Sequence, residues 1–262
     1  MLKLLINLDE STDRLEKVTK ALQTAGITDV KRVSGVNGNR LDDNYIESIT
    51  TRYNDFETRV KCTRELSKGE VGCFLSHKKC WQMLLDSEED YAIILEDDIV
   101  ISERASSYLN NLSWLPRGVD ICQLSSVWAH QKIKISPHII KLENGTSDTL
   151  VEPLTHRYGA QCYLISRRAA LYALEHTRTL VAPMDDYLFG LLHPIAQTFK
   201  IYRLMPTVVC EDHNSSQSII GDRRKLGRMA PFYIRHGLTH FMLKRKLKKV
   251  ANSGIDFECV FS

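Results

Sequence analysis

Tyr91-Ala92-Ile93-Ile94-Leu95-Glu96-Asp97-Asp98 decides how the rest of the chain reads: an apolar run stops abruptly in three acids, and apolar character resumes at Ile99-Val100-Ile101. Rich in β-branched and aromatic residues and without helical spacing, the run predicts a strand buried on both faces. Carboxylates at the C-terminal end of such a strand are costly unless positive charge sits among them. Open α/β sheets bind ligands beyond the carboxyl ends of their strands, so the pattern points to a divalent cation carrying a phosphorylated ligand. An all-oxygen donor set suits magnesium or manganese better than zinc. Taken alone, the acids read equally as a solvated turn closing an ordinary strand.

Upstream, Leu2 to Leu8 predicts a first buried strand, and Asn7-Leu8-Asp9 brings polar groups to its C-terminal end. Ser11 stands as the N-cap of a helix with Leu15, Val18, Leu22 and Ala25 on one face, and Gly26 ends it. Val30 to Val33 is a second strand running into Ser34-Gly35-Val36-Asn37-Gly38. Strand, helix and strand make a βαβ opening, although the loop has neither a Gly-x-Gly-x-x-Gly fingerprint nor a Walker lysine. Leu41 to Arg64 reads as irregular with one short helix. Ser67 and Glu70 are spaced as a capping box at the head of a strong helix that carries Val71, Phe74, His77 and Trp81 and leads directly to Tyr91.

Downstream, Glu103 to Leu112 predicts a modest helix and Val119 to Leu124 a strand. Ser125 to Pro153 is irregular or hairpin-forming, with a turn at Glu143-Asn144-Gly145. Gly159 to Ser166 is strand-like, and Ser166 caps the helix that begins at Arg167. Asp185 and Asp186 follow Pro183 as a second acidic pair, readable as helix capping or as a carboxylate base at the mouth of a helix. Phe199 to Tyr202 and Thr207 to Val209 predict short strands, and the polar Glu211-Asp212-His213 beyond them offers a late histidine ligand.

The 262 residues, 43% hydrophobic and 26% charged, can bury a substantial core, and a net charge of +3 does not describe a nucleic-acid binder. The expected division is one domain over residues 1–225 and a basic amphipathic helix and tail over 226–262. In that tail Phe232, Ile234, Leu238, Phe241, Met242 and Leu247 alternate with Arg235, Lys244, Arg245, Lys246, Lys248 and Lys249. Such a helix suits an anionic membrane surface, or it packs on the domain with its charges solvated. Seven cysteines without a Cys-x-x-Cys pair read as packed thiols in a reducing compartment. No apolar stretch approaches the ~20 residues of a transmembrane helix. The N-terminus lacks signal-peptide anatomy, so the expected location is cytoplasmic and peripheral on the inner membrane.

Four segments carry a resemblance in their order and spacing: Ile6-Asn7-Leu8 with Asp13-Arg14, Gly69-Glu70-Val71-Gly72-Cys73-Phe74-Leu75-Ser76-His77 with Trp81, Ile94 to Asp98, and Pro183-Met184-Asp185-Asp186-Tyr187-Leu188. Together they resemble glycosyltransferase family 25. The resemblance implies an α/β, single GT-A-like (Rossmann-type) nucleotide-sugar-binding domain using Mn²⁺ or Mg²⁺. It also implies a UDP-galactose or UDP-glucose donor, galactose favoured, and inversion to a β-linked product on a lipid-linked oligosaccharide such as lipooligosaccharide. On the same resemblance Asp98 and Glu96 are metal ligands with His213 as a third contact. Asn7, Arg14, Gly35, Asn37, His77, Glu96 and Asp97 bind the donor, and Asp185 or Asp186 is the base. Glutamate in place of the first aspartate of Asp-x-Asp changes reach by a methylene, so Asp98 is the expected direct ligand. Two rivals stay open. A nucleotidyltransferase would carry a lysine- and glycine-rich phosphate loop, which is missing here. An inactive family member binding carbohydrate or protein would be marked by loss of the acids, and all of them are present.

Overall fold

The computed structural model describes residues 1–51, 53–54, 63–143, 145–155, 158–191, 193–213 and 237–262, with backbone alone at 53–54, 63–64 and 237–244. The chain opens with β1 (Leu2–Asn7), α1 (Thr12–Thr24) and β2 (Val30–Ser34). As the βαβ pattern requires, β1 and β2 pair in parallel from Lys3↔Val30 to Asn7↔Ser34. After α2 (Asp43–Ile49) and the short ladder of β3 (Tyr53–Asn54) with β4 (Thr63–Arg64) comes α3 (Lys68–Leu85). Both halves of its capping box form: the Glu70 amide donates to Ser67 Oγ, and the Ser67 amide donates to the Glu70 carboxylate.

From α3 the chain enters β5 (Tyr91–Leu95), parallel to β1 with Leu2↔Ala92 through Leu5↔Leu95. Ala92 to Leu95 are fully buried, as a strand covered on both faces must be. The acids come next, followed by β6 (Ile99–Ile101). The helix expected over 103–112 is shorter: a 3₁₀ turn at Glu103–Ala105 continues into α4 (Ser106–Leu109).

Then come β7 (Ile121–Gln123), β8 (Ser125–Ser126), β9 (His130–Ile135), and a hairpin of β10 (Ile140–Lys141) with β11 (Thr149–Val151). The expected turn at Glu143-Asn144-Gly145 falls between these two strands in the sequence, and Asn144 lies outside the described residues. β12 (Cys162–Ser166) leads through the Ser166 cap into α5 (Arg167–Glu175), with the Ala169 amide donating to Ser166 Oγ. The chain continues through α6 (Met184–Phe189), α7 (Pro194–Thr198), β13 (Ile201–Met205) and β14 (Val209–Glu211). Both late strands lie further along than expected, β13 because Phe199 ends α7 and packs edge-on against Tyr172 instead of opening the strand.

Eight strands form one sheet in the order β10-β11-β13-β7-β12-β5-β1-β2, with β12 antiparallel between β5 and β7. Alternation along β1 and β5 sends Leu4 and Ile94 into a core with Phe74, Trp81 and Tyr163, and Leu5, Ile93 and Leu95 into the opposite core with Tyr108 and Leu164. A second sheet, β6-β14-β8, starts where the acidic run ends. This is the α/β architecture expected from the sequence, with helices on both faces of a mixed sheet.

Within the basic stretch the chain forms α8 (Gly237–Asn252), on which Arg245, Lys246, Lys248 and Lys249 are exposed. The expected boundary at 225/226, together with Phe232, Ile234 and Arg235, lies outside the described residues, as do the side chains of Leu238, Phe241, Met242 and Lys244. After α8 the chain returns as β15 (Ile255–Val260), pairing antiparallel with β9 and burying Cys259 beside Ile133 and Ile135. This ladder was not anticipated. His130–Ile135 carries only two apolar residues, and they face a core that exists only once β15 arrives. Among the described residues no helix is long and apolar enough to cross a membrane. Cys80, Cys122, Cys162, Cys210 and Cys259 are free and buried, packed as expected, and burial pushes the Cys80 and Cys122 thiols up to about 12. Cys62 lies outside the described residues.

Candidate active site

Because β1 and β5 run side by side in the same direction, Asn7 and the acids Glu96 to Asp98 leave the sheet at one end. Asn7 Nδ2 donates to Asp97 Oδ2 at 2.7 Å and to the Ser11 carbonyl at 3.0 Å, while Arg32 Nε holds Asn7 Oδ1 at 3.0 Å. Arg14, in the first turn of α1, places Nη2 2.8 Å from both Asp97 Oδ1 and Asp98 Oδ2. One guanidinium thus serves two carboxylates.

A cleft opens beside this cluster, lined by Ile6 to Leu8, Arg14, the Val36 to Gly38 loop, one face of α3, and the three acids. The loop is seated on α3 by close backbone approach. A Cβ on Gly72 would lie 2.4 Å from the Val36 carbonyl oxygen, and one on Gly38 would lie 1.6 Å from the Lys68 oxygen. Ser76 completes the join, accepting from the Val36 amide at 2.8 Å and donating to the Gly72 carbonyl at 2.7 Å. The glycine and serine of the Gly-Glu-x-Gly-Cys-x-Leu-Ser-His motif therefore shape the cleft wall.

One turn further on, His77 is fully buried and held at both ring nitrogens. Trp81 Nε1, which can only donate, reaches Tyr163 Oη at 3.0 Å; Tyr163 Oη lies 3.0 Å from His77 Nδ1; and His77 Nε2 lies 3.0 Å from Glu96 Oε1. The single phenolic proton goes to Nδ1, so the proton of a neutral imidazole sits on Nε2 and is donated to Glu96. Cys73 Sγ approaches the same Glu96 oxygen at 3.8 Å. Cys73, His77 and Glu96 converge within 4.8 Å, but with Nε2 protonated His77 offers no lone pair to a metal there.

Electrostatics single out Asp98. Burial, reinforced by Glu96, Asp97 and Glu211 and only partly offset by Arg14, pushes its carboxyl up to about 7. Asp97 is raised too, chiefly by burial, against the bonds from Asn7 and Arg14. Asp98 Oδ1 is buried with no hydrogen-bond partner among the described residues. An orphaned carboxylate oxygen amid excess negative charge and oxygen donors fits a hard divalent cation.

The other expected residues are placed as follows. Asn37 lines the cleft, and its side chain caps the short turn at Gly38–Arg40 through the Asn39 amide at 3.0 Å. Gly35 lies behind it, its amide donating to the Asn7 carbonyl at 2.9 Å. Asp185 and Asp186 sit in the first turn of α6, which packs on α3 through Phe74 and Tyr187, ring centroids 5.3 Å apart. Asp185 Oδ1 accepts from the Asp186 amide at 3.0 Å, and Asp186 is buried. Neither lines the cleft described above.

His213 follows β14. Its Nε2 lies 2.6 Å from the Val127 carbonyl oxygen and its Nδ1 3.8 Å from Glu211 Oε1; among the described residues it makes no hydrogen bond to the acidic run. Glu211 is in turn held by Gln161 Nε2 at 3.0 Å. The sequence reading did not single out Tyr163, Gln161, Arg32 or Glu211. A tyrosine in mid-strand signals nothing until its hydroxyl is seen buried against a histidine.

The family model for glycosyltransferase family 25 (LPS biosynthesis protein) matches residues 1–188. Lipooligosaccharide biosynthesis protein lex-1 of Haemophilus influenzae is 27% identical over 202 residues, 73% of this chain and 65% of that protein. The lacto-N-neotetraose biosynthesis glycosyltransferase LgtB of Neisseria meningitidis is 30% identical over 134 residues, 48% of this chain and 47% of that protein. The matched part of the chain thus spans less than two thirds of either relative. Among solved structures, an active-site mutant of LgtC aligns over 97% of this chain and 96% of its own, with 10% identity and a TM-score of 0.39. The matched span runs from β1 through the capped α3 and the acids behind β5 to the second acidic pair on α6, and this chain belongs to glycosyltransferase family 25.

Proposed function

We propose that the chain is a metal-dependent inverting glycosyltransferase that moves a hexose from UDP-galactose or UDP-glucose to a lipooligosaccharide-type acceptor, forming a β-glycosidic bond. The observation that carries it is Asp98: a buried carboxylate at a strand end, with one oxygen unpartnered among the described residues and its acidity suppressed by burial and, after that, by neighbouring acids. The names of lex-1 and LgtB, one a lipooligosaccharide biosynthesis protein and one a glycosyltransferase, support the acceptor class. Galactose ranks ahead of glucose on the family resemblance.

In this reading Asp98, assisted by Glu96, holds Mn²⁺ or Mg²⁺. Such an ion would supply charge neutralisation for the departing diphosphate. Arg14, paired with Asp97 and Asp98, would exchange a carboxylate for those phosphates. Asn7 and the Val36 to Gly38 loop wall the nucleotide side of the cleft. The acceptor hydroxyl attacks the anomeric carbon from the face opposite the diphosphate. A new carbon–oxygen bond forms as the bond to phosphate breaks, and the proton passes to Asp185 or Asp186 as base. The exposed Arg245, Lys246, Lys248 and Lys249 suit the cytoplasmic face of an anionic inner membrane, where a lipid-linked acceptor would be met.

The test is a donor panel of UDP-galactose, UDP-glucose, UDP-N-acetylglucosamine and CMP-sialic acid, each with Mn²⁺ or EDTA, reading released nucleotide. UDP release from one hexose donor only, lost in EDTA and reduced at least ~100-fold by Asp98→Asn, is the expected result. No release from any donor, even with lipooligosaccharide present, favours the inactive carbohydrate- or protein-binding family member.

A further inference from the structure

Trp128 is 54% exposed, more than any other large hydrophobic residue described, while Trp81 and Trp114 are buried. Its place in the fold is specific. In the small sheet β8 runs parallel to β14 with Cys210↔Ser126, and β14 runs antiparallel to β6 with Glu211↔Ile99. Carried one step beyond the strands, that register sets Asp98 beside Asp212, whose amide donates to the Asp98 carbonyl at 2.8 Å. On the far side of β14, Val127 and Trp128 leave β8 alongside them. Two strand spacings, about 10 Å, thus separate the Trp128 backbone from that of the acidic run. The nucleotide cleft lies on the opposite side of the acids, against β1 and α3.

The indole is fixed in position. His213 stacks on one face with ring centroids 4.3 Å apart and an interplanar angle of 27°, and His213 is itself held by the Val127 carbonyl, with Glu211 Oε1 3.8 Å from its other ring nitrogen. An aromatic surface braced from behind needs little further ordering to accept a flat ligand. The faces of a pyranose ring carry C–H groups that pack on such a surface, and the partly exposed Glu211 carboxylate stands beside the stack as a hydrogen-bond acceptor. In the proposed displacement the nucleophile arrives on the face of the anomeric carbon opposite the diphosphate, and Trp128 stands on the side of the acids away from the nucleotide cleft.

We propose that Trp128, braced by His213, is the platform on which the acceptor's hexopyranose ring stacks. The proposal rests on the glycosyltransferase reading and adds to it a subsite and the ring class that fills it.

The test uses the full chain and a panel of methyl β-glucoside, methyl β-galactoside, N-acetylglucosamine and lactose, with two readouts. In the first, acrylamide quenches the one accessible tryptophan, an assignment made by its loss in Trp128→Phe. At least one sugar is expected to protect that emission, whereas glycerol at matched concentration does not. In the second, Trp128→Ala raises the KM for the protecting sugar about tenfold, the worth of one aromatic contact, with kcat and donor KM held and Trp128→Phe intermediate. Protection by none of the four sugars, or an acceptor KM unmoved by Trp128→Ala, overturns the platform. If the wild-type protein releases no UDP from any donor, the glycosyltransferase reading has failed, and the quenching arm still decides whether Trp128 binds a sugar ring.

Discussion

The Tyr163 hydroxyl carries one proton and meets two nitrogen partners, so its geometry sets the tautomer of His77 and, through it, the bond received by Glu96. Tyr163→Phe removes that oxygen from a fully buried position, leaving Trp81 Nε1 without an acceptor and His77 free to take the other tautomer. The expected cost is about 1–3 kcal/mol of stability, the penalty for a buried polar group left unsatisfied, measured by urea denaturation. A nucleotide-binding readout separates packing from positioning: titration calorimetry with UDP-galactose should show weaker binding in Tyr163→Phe than in a variant of equal stability loss far from the cleft, such as Leu109→Ala. At this scale the Glu96-Asp97-Asp98 run was legible, because acids after an apolar run violate burial rules in one dimension. The bonds of Asn7 and Arg14 to those acids were not, since β1 and β5 are neighbours only in the sheet.

Among elements, α3 is the one on which the cleft is built. Its capping box is written in four consecutive residues, so its start was legible at Ser67. The reason for Gly72 inside it was not, because the constraint comes from the Val36 to Gly38 loop lying against the helix backbone. Gly72→Ala would set a methyl 2.4 Å from the Val36 oxygen and 2.6 Å from the Gly38 nitrogen, both backbone atoms with little room to move. The loop and helix must part. A loss of about 1–3 kcal/mol is expected, read as a lower Tm, together with weaker UDP-donor binding by calorimetry. If Tm falls while donor affinity is unchanged, the loop is not a wall of the nucleotide site. β9 and β15 teach the complementary lesson. Neither is apolar enough to announce itself, and each is a strand because the other supplies its ladder.

For the molecule as a whole, acid stability carries the mark of a buried histidine. Burial pushes the His193 imidazole, beside the Tyr187 ring, down to about 4 from an ordinary value near 6.5. The unfolded chain therefore takes up this proton first, and its contribution to stability, intact above about 6.5, is lost as pH falls toward 4. Chemical denaturation at pH 7.5 and at pH 4.5 should show a smaller drop for His193→Gln than for the wild-type protein; equal drops would mean that the side chain protonates in the folded state. The sequence by itself determined the alternating α and β elements, the burial of the Tyr91 strand, the acidic knot at its end and the family. The first three are local patterns that hydrophobic period and residue chemistry reveal within a few consecutive positions, and the family follows from the order and spacing of four such segments along the chain. The tertiary structure alone decided the Trp81-Tyr163-His77-Glu96 chain, the orphaned Asp98 oxygen, the loop seated on Gly72 and the Trp128–His213 stack. All of these join residues far apart in the chain, and their energies come from desolvation and contact geometry that exist only after the sheet order is set.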